Sequence, residues 1–339
     1  MTRGYFNQID MGPAYTESSK NWHITLDRSN CFWYELIVNP PAFVDTRRDI
    51  ADYLRWLKSA VEQTLEKRFI YFFVSRKKVR FDTTKQPKYS LFGKYLVLRL
   101  LIGKDGQSRT IKRKVFDQSG KQITPKVEVT DSFIRFYQHA NSSETYSIHD
   151  FLQMHDIALG ITSEIHYVGI TKNPGDRPIS REHRGITDTL YRVSNEDNDF
   201  FIFINLFKVM SNAESSKHGI NFVIANSMID EIPTEEEGQI IEGALINYFN
   251  TEAQQLNKRN ESAVLNNRLA SIAKNNNIEF ISLQMELEHP NEYFVFGSQA
   301  VPPSVSHTFV CRSVNGSLEI TKLNSEEEIR DFRAGQTNA

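Results

Sequence analysis

Four side chains in the second half of the chain have the types and order needed to cut a phosphodiester. Tyr167 lies in an apolar run that breaks into Lys172-Asn173-Pro174-Gly175-Asp176 and ends on Arg177. Glu242 falls within Ile240-Ile241-Glu242-Gly243-Ala244-Leu245, and Asn257 follows it. Phosphodiester hydrolysis needs an activated water, and a tyrosine or histidine assists there. It also needs a grip on the anion, which suits the forked donors of arginine. A carboxylate can hold one Mg²⁺ to neutralise developing charge. Arg181 and His183, just after Arg177, are further candidates for phosphate contact or acid–base work. Each residue also has a plainer reading. Tyr167 would pack with its hydroxyl bonded, Arg177 would be a surface charge, and Asn257 would cap a helix. Glu242 would serve a helix dipole, a role Glu235, Glu236 and Glu237 already fill.

The elements that must position these groups can be read from pattern. Glu164–Ile170 is predicted as the strand carrying Tyr167, and Pro and Gly at 174 and 175 supply turn chemistry. Residues 178–193 read as helical with Gly185 interrupting. Phe200–Val209 is an almost wholly apolar buried strand, and His218–Asn226 is another. After Pro233, Thr234 to Glu237 read as a capping box opening a helix. Ile241, Leu245, Tyr248 and Phe249 form its apolar stripe, with Glu242 just off it. Residues 265–274 read as helix, and 278–287, 293–297 and 308–314 as strands.

Upstream, Cys31–Val38 reads as a strand and residues 47–67 as a helix, with Ile50, Leu54, Leu57, Val61 and Leu65 at helical spacing and Thr46 and Asp49 as an N-cap pair. Strands are predicted at 69–75, 95–102, 109–116, 126–130 and 132–139, and residues 140–144 read as a linker. This gives an α+β protein in three segments: a basic α+β domain over 1–140, a second α+β unit over 145–275 with a small mixed or antiparallel sheet flanked by helices, and a β extension with a tail over 276–339.

The composition fits a folded core, with 40% hydrophobic, 24% charged and 12% aromatic residues. Only two cysteines occur, with no ligand spacing, so a disulfide framework or zinc site is not expected and a reducing cytoplasm fits. The first twenty residues have no apolar stretch of signal-peptide type, and no run approaches the ~20 apolar residues that span a bilayer, so no membrane partner is expected. The net charge of −2 hides a block from Lys67 to Lys114 with fifteen Lys or Arg against two acids. Within it Arg76, Lys77, Lys78, Arg80, Lys112, Arg113 and Lys114 are the expected contacts to a polyanion. Interleaved Phe and Tyr offer stacking surfaces, although most aromatics belong in the core.

Tyr167-Val168-Gly169, Arg177, Glu242 and Asn257, in that order and in those elements, resemble the GIY-YIG nuclease superfamily over residues 150–260. The resemblance implies a GIY-YIG-like sheet, a catalytic role for Tyr167 and Arg177 and for His183 nearby, a Mg²⁺ or Mn²⁺ site at Glu242, and DNA as partner with RNA as an alternative substrate. Asn257 and Arg181 would then contact the nucleic acid. The implied activity is that of a metal-dependent endonuclease, and defence against foreign DNA is a role suggested by analogy alone. No GIY tripeptide precedes Tyr167 in the segment from Ser147 on. His155, Tyr146, or Tyr167 alone with His183 would have to replace its tyrosine. The alternative is a nucleic-acid-binding or scaffold protein with an inactive nuclease-like domain.

Overall fold

The computed structural model describes residues 2–9, 12–63, 67–117, 119–139, 142–176, 178–179, 184–215, 217–251, 258–323 and 327–328. The fold is α+β: a nine-stranded mixed sheet, three smaller sheets and, among the described residues, eight α-helices. Across the large sheet the strands run Phe296–Gly297, Ser163–Thr171, Phe69–Lys77, Asn198–Ser215, Ser19–Trp33, Ile278–Met285, His307–Val314 and Ser317–Leu323, and Ile220–Ala225 also pairs with Asn198–Ser215. Two pairings are parallel, 19–33 with 278–285 and 163–171 with 296–297; the rest are antiparallel. One sheet therefore takes strands from each of the three segments 1–140, 145–275 and 276–339.

The central strands are apolar on both faces because both faces are covered. Phe69, Tyr71 and Phe73 share one core with Phe200, Ile202 and Ile204, under the helices Thr46–Glu62 and Arg184–Arg192. The alternate residues Ile70, Phe72 and Val74 share the other with Phe201 and Phe203, under Thr234–Phe249 and Lys258–Asn276. Phe73 and Phe200 stack at 5.5 Å across the strand pair. Each such ring contributes about 1.5–3 kcal/mol by burial.

Between Lys77 and Ser163 the chain leaves the large sheet and returns to it. This insert holds the three small sheets and the helix Ile148–Met154. Ser75 pairs with Glu164, so exit and entry lie side by side. The predicted linker at 140–144 runs into a hairpin instead: Phe133–His139 pairs antiparallel with Ser142–Ser147. Ser and Thr at 142–147 suit a solvated strand as well as a loop, so composition did not separate them.

Three other local expectations change. The 31–38 run is the end of strand Ser19–Trp33 followed by a helical turn, Glu35–Val38, with Leu36 and Ile37 buried in different cores. The long helix starts at Thr46 with Asp45 as N-cap, accepting the Arg48 N–H at 3.2 Å, while the Thr46 hydroxyl donates to the Leu36 carbonyl. The second helix has Pro233 at its N-cap without a side-chain cap. Glu237 turns away to Arg3 (3.1 Å) and to the buried amide of Asn226, since charged partners outweigh a cap. A strand at Ser317–Leu323 was not anticipated. Its signal was Asn315-Gly316, both at positive φ (51° and 78°), a two-residue hairpin turn.

Candidate active site

Tyr167 stands on strand Ser163–Thr171, half-buried, on the face that meets the helix Arg184–Arg192. Its strand partner is Phe69–Lys77, and Gly169 lies directly opposite Tyr71. The two tyrosine rings sit 5.9 Å apart, tilted by 31°. Glycine is required between them. A Cβ on Gly169 would come closer than 3.0 Å to Cζ and Oη of Tyr71, and within 2.8 Å of Tyr167 Cε1. Gly185, the second residue of the following helix, meets the other side of Tyr167: its Cβ would lie 2.7 Å from Cδ2 and 2.8 Å from Cζ. Gly185, which reads as a helix interruption in the sequence, therefore lets the helix rest against the Tyr167 ring. Tyr71 is fully buried, and its ring meets that of Tyr167 diagonally across the strands.

Tyr71 is not among the residues the sequence nominates: it precedes the whole insert, whereas the expected upstream tyrosine would fall just before Tyr167. The signal was the strand run Phe69-Ile70-Tyr71-Phe72-Phe73-Val74 itself. The two stand-ins considered lie elsewhere: Tyr146 packs on Phe136 and donates to Glu144 at 2.8 Å, and His155 packs edge-on to Phe151.

Glu242 is half-buried on the helix Thr234–Phe249, which packs against strands 163–171 and 69–77. One turn earlier Gly238 meets Ile170 Cδ1 and Arg68, where a Cβ would lie 2.6 Å and 2.8 Å away. Residues four apart share a helix face, so Glu242 follows on the strip that meets the Val168 and Ile170 side of strand 163–171, the face of the sheet opposite the one that carries Tyr71 and Tyr167. Arg177, Arg181, His183 and Asn257 lie outside the described residues. Among the described residues no three His, Cys, Asp or Glu side chains converge.

The loop after Tyr167 is held by residues that the sequence did not nominate. Lys58 donates to Asn173 Oδ1 at 2.7 Å, Arg55 stands 3.6 Å from Asp176, and Gly175 packs on the Ala51 carbonyl. These groups border an open cavity of about 520 Å³. On the other side His166, at a bulge in the same strand, meets Ser75 Oγ at 2.8 Å. Burial lowers its pKa to about 4, so it is neutral near pH 7.

The basic segment divides. Arg76 is 3% exposed, so it cannot serve as a phosphate contact. It donates to Glu292 Oε1, the Glu292 carbonyl and Ser163 Oγ, each at 2.9 Å, and lies over the Tyr293 ring. Arg80 is likewise bound, with Nη1 and Nη2 on the two Asp199 oxygens at 2.8 and 2.9 Å. Asp199 also accepts the Val79 N–H (3.1 Å) and His149 Nε2–H (3.0 Å), and His149 Nδ1 accepts from the Tyr293 hydroxyl (2.8 Å). Burial alone would raise the Asp199 pKa, but His149 and Arg80 more than offset it and hold the carboxylate ionised. Arg80 and His149 fasten the insert to the sheet through Asp199, and Arg76 ties strand 69–77 to Glu292. Lys78 is half-buried and donates to the Asn195 carbonyl, and Arg113 is half-buried, reaching the Lys112 carbonyl at 3.2 Å. Lys77, Lys112 and Lys114 are exposed.

Comparison with protein-family models, curated proteins and solved structures finds no match to this chain. Among the described residues no helix is long and apolar enough to cross a membrane.

Proposed function

We propose that the chain is a metal-dependent endonuclease of GIY-YIG type whose two motif strands are separated by the insert. The observation that carries the reading is the register of Tyr71 on Gly169. It sets a tyrosine from Phe69-Ile70-Tyr71, which matches the last two letters of GIY, beside Tyr167 of the YVG half. The helix Arg184–Arg192, the strand Asn198–Ser215 and the Glu242 helix then follow in the order the resemblance implies.

In this reading Tyr167, with Tyr71 fixing its ring, orients the attacking water and takes its proton. Arg177 stabilises charge on the phosphorane. A single protein carboxylate, here Glu242, is compatible with Mg²⁺ or Mn²⁺, which take their other ligands from water and substrate phosphate. Such an ion, when bound, supplies charge neutralisation at the phosphoryl oxygens. DNA is the first substrate to test, and RNA the second.

The test is cleavage of supercoiled plasmid with Mg²⁺ by the wild type, Tyr71→Phe, Tyr167→Phe and Glu242→Ala. Glu242→Ala should abolish cleavage and leave DNA binding intact. Cleavage unchanged in Glu242→Ala would end this site assignment. Binding without cleavage by any of the proteins would favour a nucleic-acid-binding scaffold, for which the complete burial of Tyr71 speaks.

A further inference from the structure

The insert carries an apolar projection at Ser90–Tyr95. Ser90 N–H donates to the Tyr95 carbonyl (2.8 Å), and Ser90 Oγ accepts the Tyr95 N–H (3.1 Å). The Gly93 N–H returns to the Ser90 carbonyl at 2.8 Å. This closure thrusts Leu91 and Phe92 outward, 87% and 93% exposed. Phe92 sits at φ 69°, a conformation a bulky side chain rarely adopts. Backbone strain of this kind clusters at ligand clamps and switch regions. Tyr95 and Phe116 extend the patch, 38% and 55% exposed. Phe116 opposes Gln122, whose amide donates to the Lys94 carbonyl at 2.8 Å, so this second hairpin braces the projection.

The surroundings of the tip are cationic. Lys88, Val97 and Lys112 stand opposite one another across three strands, and opposed residues share a face. Leu96, Leu98 and Leu100 are buried on the other side, so Lys88 and Lys112 point to solvent. Lys94 adjoins the tip, and Lys114 Nζ lies 5.8 Å from the Tyr95 ring. None of these four lysines makes a salt bridge among the described residues.

We infer that Leu91 and Phe92 form a wedge that enters a base step of duplex DNA while Lys88, Lys94, Lys112 and Lys114 hold the flanking phosphates. The inference rests on the nucleic-acid part of the proposed function but needs no cleavage. Charge complementarity selects a polyanion. Two apolar side chains at a rigid tip are the kind that unstack adjacent bases, and an aromatic ring can then stack on the exposed face.

The test uses the full chain in EDTA, so that cleavage does not enter, with a duplex carrying 2-aminopurine at successive positions. The wild type should bind and raise the fluorescence as bases unstack. Leu91→Ser and Phe92→Gly should weaken binding on the order of tenfold and return the fluorescence to that of free duplex. Both sites are exposed, and glycine suits φ 69°, so folding is spared. Replacing the four lysines by glutamine should instead flatten the dependence of log affinity on log salt by about 3 to 4.

Binding without unstacking, or tip variants that behave as wild type, would overturn the wedge while leaving a nuclease reading open. Absence of duplex binding would overturn the wedge and remove DNA as the substrate, leaving RNA cleavage as the separate test of the nuclease reading. Tip-dependent binding to phosphatidylserine vesicles without duplex binding would reassign the tip to a lipid surface. Unstacking by a protein that cuts no plasmid would keep the wedge and remove the nuclease.

Discussion

Gly169→Ala tests the tyrosine pair directly. The new methyl carbon would sit closer than 3.0 Å to Tyr71 Cζ and Oη and 2.8 Å from Tyr167 Cε1. Ordinary carbon contacts are ~3.5–4.0 Å, so the rings must withdraw by about 1 Å. Tyr71 has little room, being fully buried in the core beneath Thr46–Glu62 and Arg184–Arg192. Overpacking of this kind costs ~1–3 kcal/mol. With a urea slope of about 3 kcal/mol/M for a chain of this size, the midpoint should fall by about 0.3–1 M. If the pair works on a substrate, a 1 Å displacement should also slow plasmid cleavage by about a hundredfold. Tyr71→Leu removes the clashing atoms. The double variant should therefore be at least about 1 kcal/mol more stable than the sum of the single effects predicts. A Gly169→Ala protein with the wild-type midpoint, or strictly additive effects in the double variant, would refute the packing argument whatever the activity.

The other predictions concern the attachment of the insert and pH. Asp199→Ala leaves Arg80, His149 and the Val79 N–H without their buried acceptor and should cost ~3–5 kcal/mol by urea unfolding; a cost near zero would contradict the network. Arg76→Gln should lower stability but leave the salt dependence of DNA binding unchanged, whereas Lys112→Gln should do the reverse. His166 titrates near 4 when folded and near 6.5 when unfolded. The unfolded chain therefore binds a proton that the folded chain refuses, so this contribution is whole above pH 6.5 and fades between pH 6.5 and 4, by up to about 3 kcal/mol. Comparing urea midpoints of wild type and His166→Asn at pH 7.5, 6 and 5 should show their difference changing across that window. A constant difference would exclude the titration.

Local pattern carried much of the strand content. The runs at 69–75 and 200–209 are apolar because they are covered on both faces, and with 308–314 they lie in the observed strands. What pattern could not carry was pairing. Nothing in residues 69–75 tells that their neighbours are 163–171 on one side and 198–215 on the other, because register is settled by contacts remote in sequence. Charge misled for a related reason. Arg76 and Arg80 belong to the same run as Lys77 and Lys78, and only the positions of Glu292 and Asp199 turn them inward.

The same long-range pairing explains how an insert between strands 69–77 and 163–171 is compatible with their fixed register. Ser75 and Glu164 are register partners on paired strands, so the chain departs and re-enters at one point of the sheet. Loop-closure entropy grows only logarithmically with length, so many intervening residues hardly burden that pairing. A tethered module alone would tumble. Here Arg80 and His149 from the insert meet Asp199 of the sheet, and Glu292 Oε2 accepts the N–H groups of Leu159 and Gly160 at 2.7 and 2.8 Å. Buried charge pairs contribute little net stability compared with apolar packing, but they are intolerant of misalignment. They therefore orient the insert more than they stabilise it. In that fixed orientation, the lysine face and the Leu91-Phe92 tip hold a set direction relative to Tyr71 and Tyr167. Under the proposed function, a wedge on the insert would determine which bond of a bent duplex reaches Tyr167.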